Sequence, residues 1–232
     1  MHSRRGFLSG LACGCVAIAT PFAATPVFAE GALPNTSVNA DQALAMLKEG
    51  NAAFIKGSCQ VTGAPARIKE LANGQAPFAV IVGCSDSRTP PGELFNRGLG
   101  ELFVTRVAGN TVDTTGLGSI EYGVGVLGAP LVVVLGHTKC GAVEAAVKVV
   151  KDKATFPGAI GKMVAPIVPV VQGLKGKDDL LNRATRANVQ RVVAHLRRAK
   201  PIMSKGVKSG KVKVVGAIYN MDSGVVDFMA DA

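Results

Sequence analysis

The stretch Pro77–Arg88, which reads PFAVIVGCSDSR, decides the fold because it joins a buried strand to a group of reactive side chains. The apolar run Phe78–Val82 has the length and the β-branched composition of a central strand that is buried on both faces. The run ends at a glycine, and Cys84, Asp86 and Arg88 then follow at every second position. A thiol, a carboxylate and a guanidinium therefore come directly after one strand.

A second stretch, LVVVLGHTKCGAV from Leu131, repeats this arrangement. The predicted strand Leu131–Leu135 ends at a glycine and is followed by His137 and Cys140. Because ligands of open α/β folds bind beyond the carboxyl ends of the strands, we expect Cys84 to join these two residues at one site. Two thiolates and one imidazole suit zinc, and three protein ligands leave a fourth position for water, as in catalytic sites. The pattern predicts a zinc enzyme.

Asp86 and Arg88 could serve such a centre in two ways. The carboxylate of Asp86, two residues from Cys84, could hydrogen-bond a hydroxide on the zinc ion or could bind the metal itself. Arg88 can hold that carboxylate by a bidentate contact, which would keep it off the metal. Two forms are therefore open, a catalytic site with water as fourth ligand and a structural site closed by Asp86.

Residues 1–29 are interpreted as an export signal and not as part of the fold. Ser3–Leu8 is a twin-arginine signature, an apolar run follows, and Val27–Ala29 offers small residues for cleavage. An uncleaved membrane anchor is the alternative, but glycines and prolines interrupt the run. We expect the mature chain, 30–232, to be a single periplasmic domain without stable membrane association, since no other apolar segment approaches the ~20 residues that span a bilayer.

The charge of the chain does not indicate a nucleic-acid partner. The formal net charge of +10 falls to +8 without residues 1–29, which contain two arginines and no acid. The basic cluster from Arg183 to Lys213 contains no aromatic side chain, whereas a single-strand-binding surface would interleave the two. We interpret the cluster as a solvated basic face.

Cysteine usage favours metal over disulfides. The mature chain keeps Cys59, Cys84 and Cys140, which could form only one disulfide even in an oxidising compartment. Two of the three follow strand ends together with His137, which is a pattern typical of metal sites. Cys59 is left over as a single thiol and is interpreted as a bystander.

Strands alternate with helices along the chain, which predicts an α/β fold with a mostly parallel sheet. Further strands are predicted at Leu102–Val107 and Lys211–Tyr219, and a short last strand, Val225–Met229, returns antiparallel after a turn. Residues 152–182, broken by three prolines, are left unassigned. Helices are predicted from a cap at Asn39 or Asp41 to about Lys56, near 67–72, at 92–96, from a cap at Thr114 or Thr115 to Leu127, at 142–151 and at 182–199.

Four motifs together resemble the β-class carbonic anhydrases, and the similarity extends from about Asp41 to the end of the chain. The resemblance implies that Cys84, His137 and Cys140 bind zinc and that an Asp–Arg pair, here Asp86 and Arg88, orients the catalytic hydroxide. It also implies reversible hydration of CO2 on a sheet of four parallel strands with an antiparallel fifth, flanked by helices. The motifs are CSDSR at 84–88, LFVTRVAGN at 102–110, SIEYG at 119–123 and GHTKCGA at 136–142.

The resemblance is greatest to the plant-like branch of that family. The substrate pocket of that branch contains a glutamine nine residues before the first zinc cysteine, a phenylalanine and a tyrosine. Gln75, Phe103 and Tyr122 stand at the matching places, and structural roles as a loop amide and two core aromatics are the alternative for them. The other branch has a tryptophan three residues before that cysteine, which helps to hold inhibitory bicarbonate. Ile81 stands there, so we expect this control to be absent.

Two positions depart from the usual pattern of the family, and neither removes an essential group. Thr89 replaces an apolar residue beside the Asp–Arg pair, and Arg97 replaces a frequent glutamine. The resemblance further implies a homodimer or a higher even oligomer, with the N-terminal helix over the partner and the active site at the interface. Gln75 could then serve the zinc of the neighbouring subunit.

Two other functions remain open from the sequence. Hydrolases of COS or CS2 share the same fold and zinc motif. Access to the pocket, and not the ligand set, separates these substrates from CO2. A non-catalytic zinc-binding periplasmic protein, with Asp86 on the metal, is the second alternative.

Overall fold

A five-stranded sheet forms the centre of the structure, a computed structural model that describes residues 36–58, 65–174, 176 and 178–230. The strand order is β2-β1-β3-β4-β5. β1 to β4 are parallel, and β5 runs antiparallel to β4, which confirms the predicted fold class. The strands are β1 Ala79–Gly83, β2 Leu102–Arg106, β3 Leu131–His137, β4 Lys213–Tyr219 and β5 Val226–Phe228.

The two central strands are buried along their whole length, as their apolar runs predicted. At the carboxyl end of β1, Gly83 pairs with Arg106 on one side and with Leu135 on the other. β3 does not end at Leu135, where the sequence suggested, because β4 continues to pair with it as far as His137. His137 is therefore the last residue of a strand, and a rigid ladder fixes its backbone.

Helices cover both sides of this sheet. Two of them, α6 and α7, occupy part of the segment 152–182 that the sequence left unassigned, and α9 was not predicted at all. The helices are α1 Ala40–Ile55, α2 Pro65–Leu71, α3 Pro91–Leu94, α4 Thr114–Gly125, α5 Gly141–Asp152, α6 Ala159–Val164, α7 Val168–Gln172, α8 Leu180–Arg198 and α9 Ile202–Lys208, with a short 3-10 turn at Ala108–Asn110.

The caps of two helices test the predictions from local sequence. α1 begins as predicted, because the side chain of Asn39 accepts from two backbone N–H groups and the side-chain oxygen of Gln42 accepts from the Asn39 N–H. The cap predicted for α4 at Thr114 or Thr115 is wrong. Asp113 is the cap, and its Oδ1 accepts from the N–H of Gly116 at 2.7 Å.

Alternate residues of the strands enter two different cores, as the two-residue period of a strand requires. Val80, Val132 and their neighbours on one face pack under α4, α8 and α9. Ile81, Val133 and the residues beside them on the other face pack against α1, α3 and β5. A third cluster lies at the carboxyl ends of β1 and β3 and is closed by α5, α6 and α7. That third cluster contains Cys84 and Cys140, two of the three predicted metal ligands.

One glycine of α4 allows a close approach between this helix and the sheet. A Cβ atom on Gly123 would lie 2.7 Å from Val80 and 3.1 Å from Phe103, so only glycine lets the helix rest on the sheet here. Gly118, in contrast, faces open space.

Among the described residues, no helix is both long and apolar enough to cross a membrane. Residues 1–29 and Cys59 lie outside the described residues. The export signal, its cleavage and the bystander role of Cys59 therefore stay predictions.

Candidate metal centre

The three predicted ligands converge at the carboxyl edge of the sheet. The side-chain ligand atoms of Cys84, His137 and Cys140 all lie within 4.8 Å of one another. Each residue is buried, with 5%, 1% and 1% of its surface exposed, respectively. The three side chains could therefore hold one metal ion together, and thiolate sulfur and imidazole nitrogen are ligands that suit zinc.

Three different elements position these side chains. Cys84 is the first residue after β1, and His137 is the last residue of β3. Cys140 is the N-cap residue of α5. Lys139, at a φ of 57°, turns the chain from the strand into that helix within two residues. The sequence spacing His-x-x-Cys thus corresponds to a strand end and a helix start on either side of a tight turn.

The hydrogen bonds of His137 leave one ring nitrogen for a metal. Its Nδ1 donates to the carbonyl of Thr138 at 2.9 Å, which fixes the neutral ring in the tautomer with a lone pair on Nε2. Nε2 is buried and has no hydrogen-bond partner among the described residues. A buried nitrogen with no partner, next to two thiols, fits a zinc ligand.

The Cys140 thiol donates a hydrogen bond to Cys84 and keeps its own proton. This hydrogen bond lowers the pKa of the Cys84 thiol, although burial opposes the shift. The same hydrogen bond raises the pKa of Cys140, and burial adds to the rise. Because a metal binds thiolates, zinc binding would release this remaining proton.

Backbone groups also favour the charged forms of the ligands. The N–H groups of Ala142 and Val143, in the first turn of α5, lower the pKa of Cys140 and so oppose the effect of Cys84. Burial lowers the pKa of His137, but the nearby Cys84 and the Thr138 carbonyl outweigh it and the pKa is raised.

Arg88 holds Asp86 in the bidentate contact that the sequence predicted. Its Nε donates to Oδ1 at 2.9 Å and its Nη2 to Oδ2 at 2.8 Å, while its backbone N–H donates to Oδ1 at 3.0 Å. These bonds lower the pKa of Asp86 to about 2, so the carboxylate is ionised near neutral pH. Oδ2 lies 3.9 Å from Nε2 of His137, which places an anionic acceptor beside the metal ligands.

Arg106, which the sequence analysis did not single out, organises the loop that carries Cys84 and Asp86. It ends β2 in register with Gly83. Its Nε donates to the Cys84 carbonyl at 2.7 Å and its Nη2 to the Asp86 carbonyl at 2.5 Å. The only signal for it in the sequence was its place inside the motif at 102–110.

The two departures from the family pattern have structural roles. The hydroxyl of Thr89 donates to the Asp86 carbonyl at 3.0 Å, so the added polar group closes the loop beside the Asp–Arg pair. Arg97 lies 5.6 Å from the ring centroid of Phe78 and donates through Nη2 to the Met46 carbonyl at 2.5 Å. It therefore joins the start of β1 to α1, at the opposite end of the sheet from the ligands.

One chain does not bring the predicted substrate residues to its own metal ligands. Phe103 stands three residues before Arg106 on β2, which is about 10 Å along the strand. Its ring lies 6.1 Å from that of Tyr122, which is 46% exposed. Gln75 is exposed and precedes β1, at the far end from Cys84. Their substrate-binding role stays a prediction.

Comparisons with known proteins agree on one family. A family model described as carbonic anhydrase matches residues 79–226. A Mycobacterium tuberculosis protein named carbonic anhydrase 2 is 40% identical over 196 residues, which cover 83% of this chain and 93% of that protein.

Solved structures give the same result. The β-carbonic anhydrase of Coccomyxa, in complex with acetazolamide, superimposes with a TM-score of 0.63 at 27% identity, covering 84% of this chain and 87% of that one. The β-carbonic anhydrase CafA of Aspergillus fumigatus gives a TM-score of 0.64 at 27% identity, with 83% and 92% covered.

Proposed function

This chain belongs to the β-class carbonic anhydrases, and we propose on that premise that it catalyses the zinc-dependent, reversible hydration of carbon dioxide to bicarbonate and a proton. The observation that carries the proposal is the convergence of three buried ligand atoms within 4.8 Å, next to a carboxylate that Arg88 holds. A zinc ion there would supply a Lewis acid that lowers the pKa of water to ~7, so that hydroxide is available near neutral pH.

The residues around the ligands orient the reactants. Asp86 is ionised, and its Oδ2 keeps a lone pair besides the one that accepts from Arg88, whereas Oδ1 already accepts from both the Nε–H and the backbone N–H of Arg88. It can therefore accept the O–H of the attacking water and turn the oxygen lone pair toward the carbon of CO2. Arg88 keeps the carboxylate in that position, and Arg106 holds the loop beneath it. The proton that is released passes to buffer.

The contacts of Asp86 do not favour a non-catalytic zinc site. To coordinate the metal, the carboxylate would have to break its two hydrogen bonds with the Arg88 guanidinium, which are 2.9 and 2.8 Å long. Hydrolysis of COS or CS2 would use the same ligands, but the relatives reported above are all named carbonic anhydrases. Carbon dioxide is therefore the proposed substrate.

The proposed assembly is a homodimer or a higher even oligomer with the substrate pocket at the interface. β2 is an edge strand of the sheet, and Val104 on it is 41% exposed. Phe103 and Tyr122 lie beside this edge, away from the ligands of their own chain. In this arrangement Gln75, Phe103 and Tyr122 would bind and shape the space for CO2 at the partner's metal.

The proposed location is the periplasm, reached by the twin-arginine route. Support comes from Arg4 and Arg5 and from the apolar run after them. Replacement of both arginines by lysine should leave the protein in the cytoplasm at its full length. Cell fractionation with N-terminal sequencing of the periplasmic form tests this, and a cytoplasmic wild-type protein would contradict it.

Stopped-flow measurement of CO2 hydration by the purified, zinc-loaded protein tests the proposed reaction. Turnover of CO2, COS and CS2 is compared on one preparation at about pH 8–9, with His137→Ala as the inactive reference. We expect rapid hydration of CO2 and slower or no turnover of the sulfur compounds. Absence of hydration in a fully zinc-loaded oligomer would exclude the proposed function, and preferred turnover of COS or CS2 would change the substrate.

A further inference from the structure

A buried amide on α8 is connected to a metal ligand by two hydrogen bonds. Asn188 is wholly buried, and its Nδ2 donates to the carbonyl of Gly109 at 2.8 Å. The backbone N–H of Gly109 in turn donates to Sγ of Cys84 at 3.2 Å. α8 is thus connected to the ligand Cys84 through Gly109, which lies 79 positions before Asn188 in the sequence.

The orientation of this amide is fixed by its other end. Nη2 of Arg191, one turn further along α8, donates to Oδ1 of Asn188 at 3.2 Å. A guanidinium has only donors, and a carbonyl only accepts, so one orientation of the amide satisfies both contacts. Asn188 therefore presents a donor to Gly109.

The backbone of Gly109 has a conformation that suits glycine, so no side chain at this position can hold the backbone in place. Its φ of 73° and ψ of 18° lie in the left-handed region, which favours glycine. A Cβ atom here would lie 2.7 Å from Ile167, at the start of α7, and 3.1 Å from Ala142 on α5, so these neighbours leave no room for a side chain. No side chain of its own holds the N–H on the sulfur, and Asn188 supplies the polar contact from outside.

We infer that Asn188 is a positioning residue of the metal centre, which holds Gly109 so that its N–H stays on the Cys84 sulfur. The inference rests on the proposed zinc function. An N–H donor stabilises the thiolate, the form that binds metal, and withdraws electron density from it. Asn188 thereby sets how tightly the site holds zinc and how strongly the sulfur donates to it.

Two substitutions separate this role from packing. Asn188→Leu keeps a similar volume without polar atoms, and Asn188→Asp keeps the shape but removes the donor to Gly109. Thr185→Val is the matched control, because Thr185 is a buried polar residue of the same helix whose hydroxyl, among the described residues, donates only to the Leu181 carbonyl within α8. Arg191→Met leaves the amide in place but frees its orientation, and we expect a smaller effect of the same kind.

Zinc affinity is measured for the full-length proteins by competition with a chromophoric chelator. Loss of a partner outside the ligand set typically weakens metal binding about 10- to 100-fold, and we expect this for both Asn188 variants. Thr185→Val should stay within about twofold of the wild type. Circular dichroism confirms that each variant is folded, and if neither Asn188 variant folds, the Arg191→Met result decides.

Cobalt substitution reports on the sulfur itself. Loss of the N–H donor raises the energy of the sulfur lone pairs, so the thiolate-to-cobalt charge-transfer band should move to lower energy in the Asn188 variants and not in Thr185→Val.

If the wild type binds no zinc, the proposed function itself fails. If the wild type binds zinc and hydrates CO2, while folded Asn188 variants keep wild-type affinity and an unmoved band, the positioning role is excluded. An equal loss in Thr185→Val would also exclude it, because that result indicates a purely structural effect.

Discussion

At the scale of single residues, we expect Arg88 to decide whether Asp86 serves the proposed reaction or closes the site. The carboxylate Oδ2 lies only 3.9 Å from the metal-binding nitrogen of His137. Rotation of the side chain would bring the carboxylate to a metal there, and the contacts with Arg88 oppose that rotation. The proposed function therefore predicts that the state of the site depends on Arg88, which is not among the expected metal ligands.

Replacing Arg88 with alanine should give a folded, fully zinc-loaded and poorly active protein. Cys84, His137 and Cys140 are unchanged, so zinc content should remain at one per chain, whereas hydration should fall about 10- to 100-fold. Stopped-flow assays with metal analysis measure both quantities. Arg67→Ala, which removes only an exposed ion pair with Glu70, is the control.

A double substitution tests the roles given to Asp86 and Arg88 by removing both side chains. Asp86→Ala with Arg88→Ala removes the carboxylate that could close the site, but it also removes the acceptor that orients water. We expect activity to stay low in the double variant. Near-normal hydration in Arg88→Ala, or loss of its zinc, would contradict the role given to this pair.

The pH dependence of stability provides a separate test of the contact. The pKa of Asp86 is about 2 in the folded chain, below its ordinary value, first because of the Arg88 hydrogen bonds. The ionised form is thus favoured by folding, so its contribution to stability is present above about pH 4 and is lost as the pH falls through about 2. In the metal-free proteins, the difference in urea midpoint between the wild type and Arg88→Ala should be present at pH 6 and shrink toward pH 2. A difference that grows on acidification would contradict this sign.

At the scale of elements, one side chain ties α1 to two distant parts of the fold. Asn51 is 4% exposed, and its Nδ2 donates to the carbonyls of Leu94 and Gly224 at 3.1 and 3.0 Å. Its Oδ1 accepts from the N–H of Val226 at 2.8 Å. The end of α3, the turn before β5 and β5 itself therefore depend on this helix.

Asn51→Leu should lower the free energy of unfolding by about 2–4 kcal/mol, because it leaves three backbone groups without their partner. Asn39→Ala, on the same helix, removes only the exposed cap and should lower it by about 1 kcal/mol. Urea denaturation of the two variants compares them directly. An Asn51 variant no less stable than the Asn39 variant would show that α1 does not depend on this contact.

The predictable elements were those whose signal is local. β1 and β3 are apolar along their whole length because both faces are buried, and Asn39 caps a helix through residues only two and three positions away. α9 was missed because it is a seven-residue helix directly after Pro201, with a glycine inside it. The cap of α4 was misplaced by one residue, since two threonines beside an aspartate offered three possible caps.

The residues of the candidate site likewise divide into those with a local signal in the sequence and those without one. Cys84, His137 and Cys140 could be found because each follows a strand end in a recognisable spacing. Arg106 and Asn188 could not, because their partners lie 20 to 79 residues away and only the packed fold brings them together. No periodicity places Gln75, Phe103 and Tyr122 relative to a metal, least of all a metal in another chain.

At the scale of the whole molecule, the proposed assembly makes a prediction about the β2 edge. Val104→Lys introduces a charge on an exposed apolar side chain of an edge strand, where a partner would desolvate it. We expect dissociation to monomers by light scattering, together with loss of hydration activity if the partner completes the pocket. Ile160→Lys on α6 is the control, because Ile160 is 47% exposed but lies elsewhere. An active oligomer of unchanged mass would contradict this interface.

The central claim is that the buried Cys–His–Cys cluster is a catalytic zinc site, and titration of the metal-free protein with zinc tests it most directly. Bound zinc, measured by mass spectrometry, and CO2 hydration, measured by stopped flow, are followed in the same samples. Hydration should be absent without metal, rise in proportion to bound zinc and stop rising at one zinc per chain, and Cys84→Ser should weaken binding and activity together. Zinc bound at one per chain without hydration, or hydration in its absence, would contradict the account.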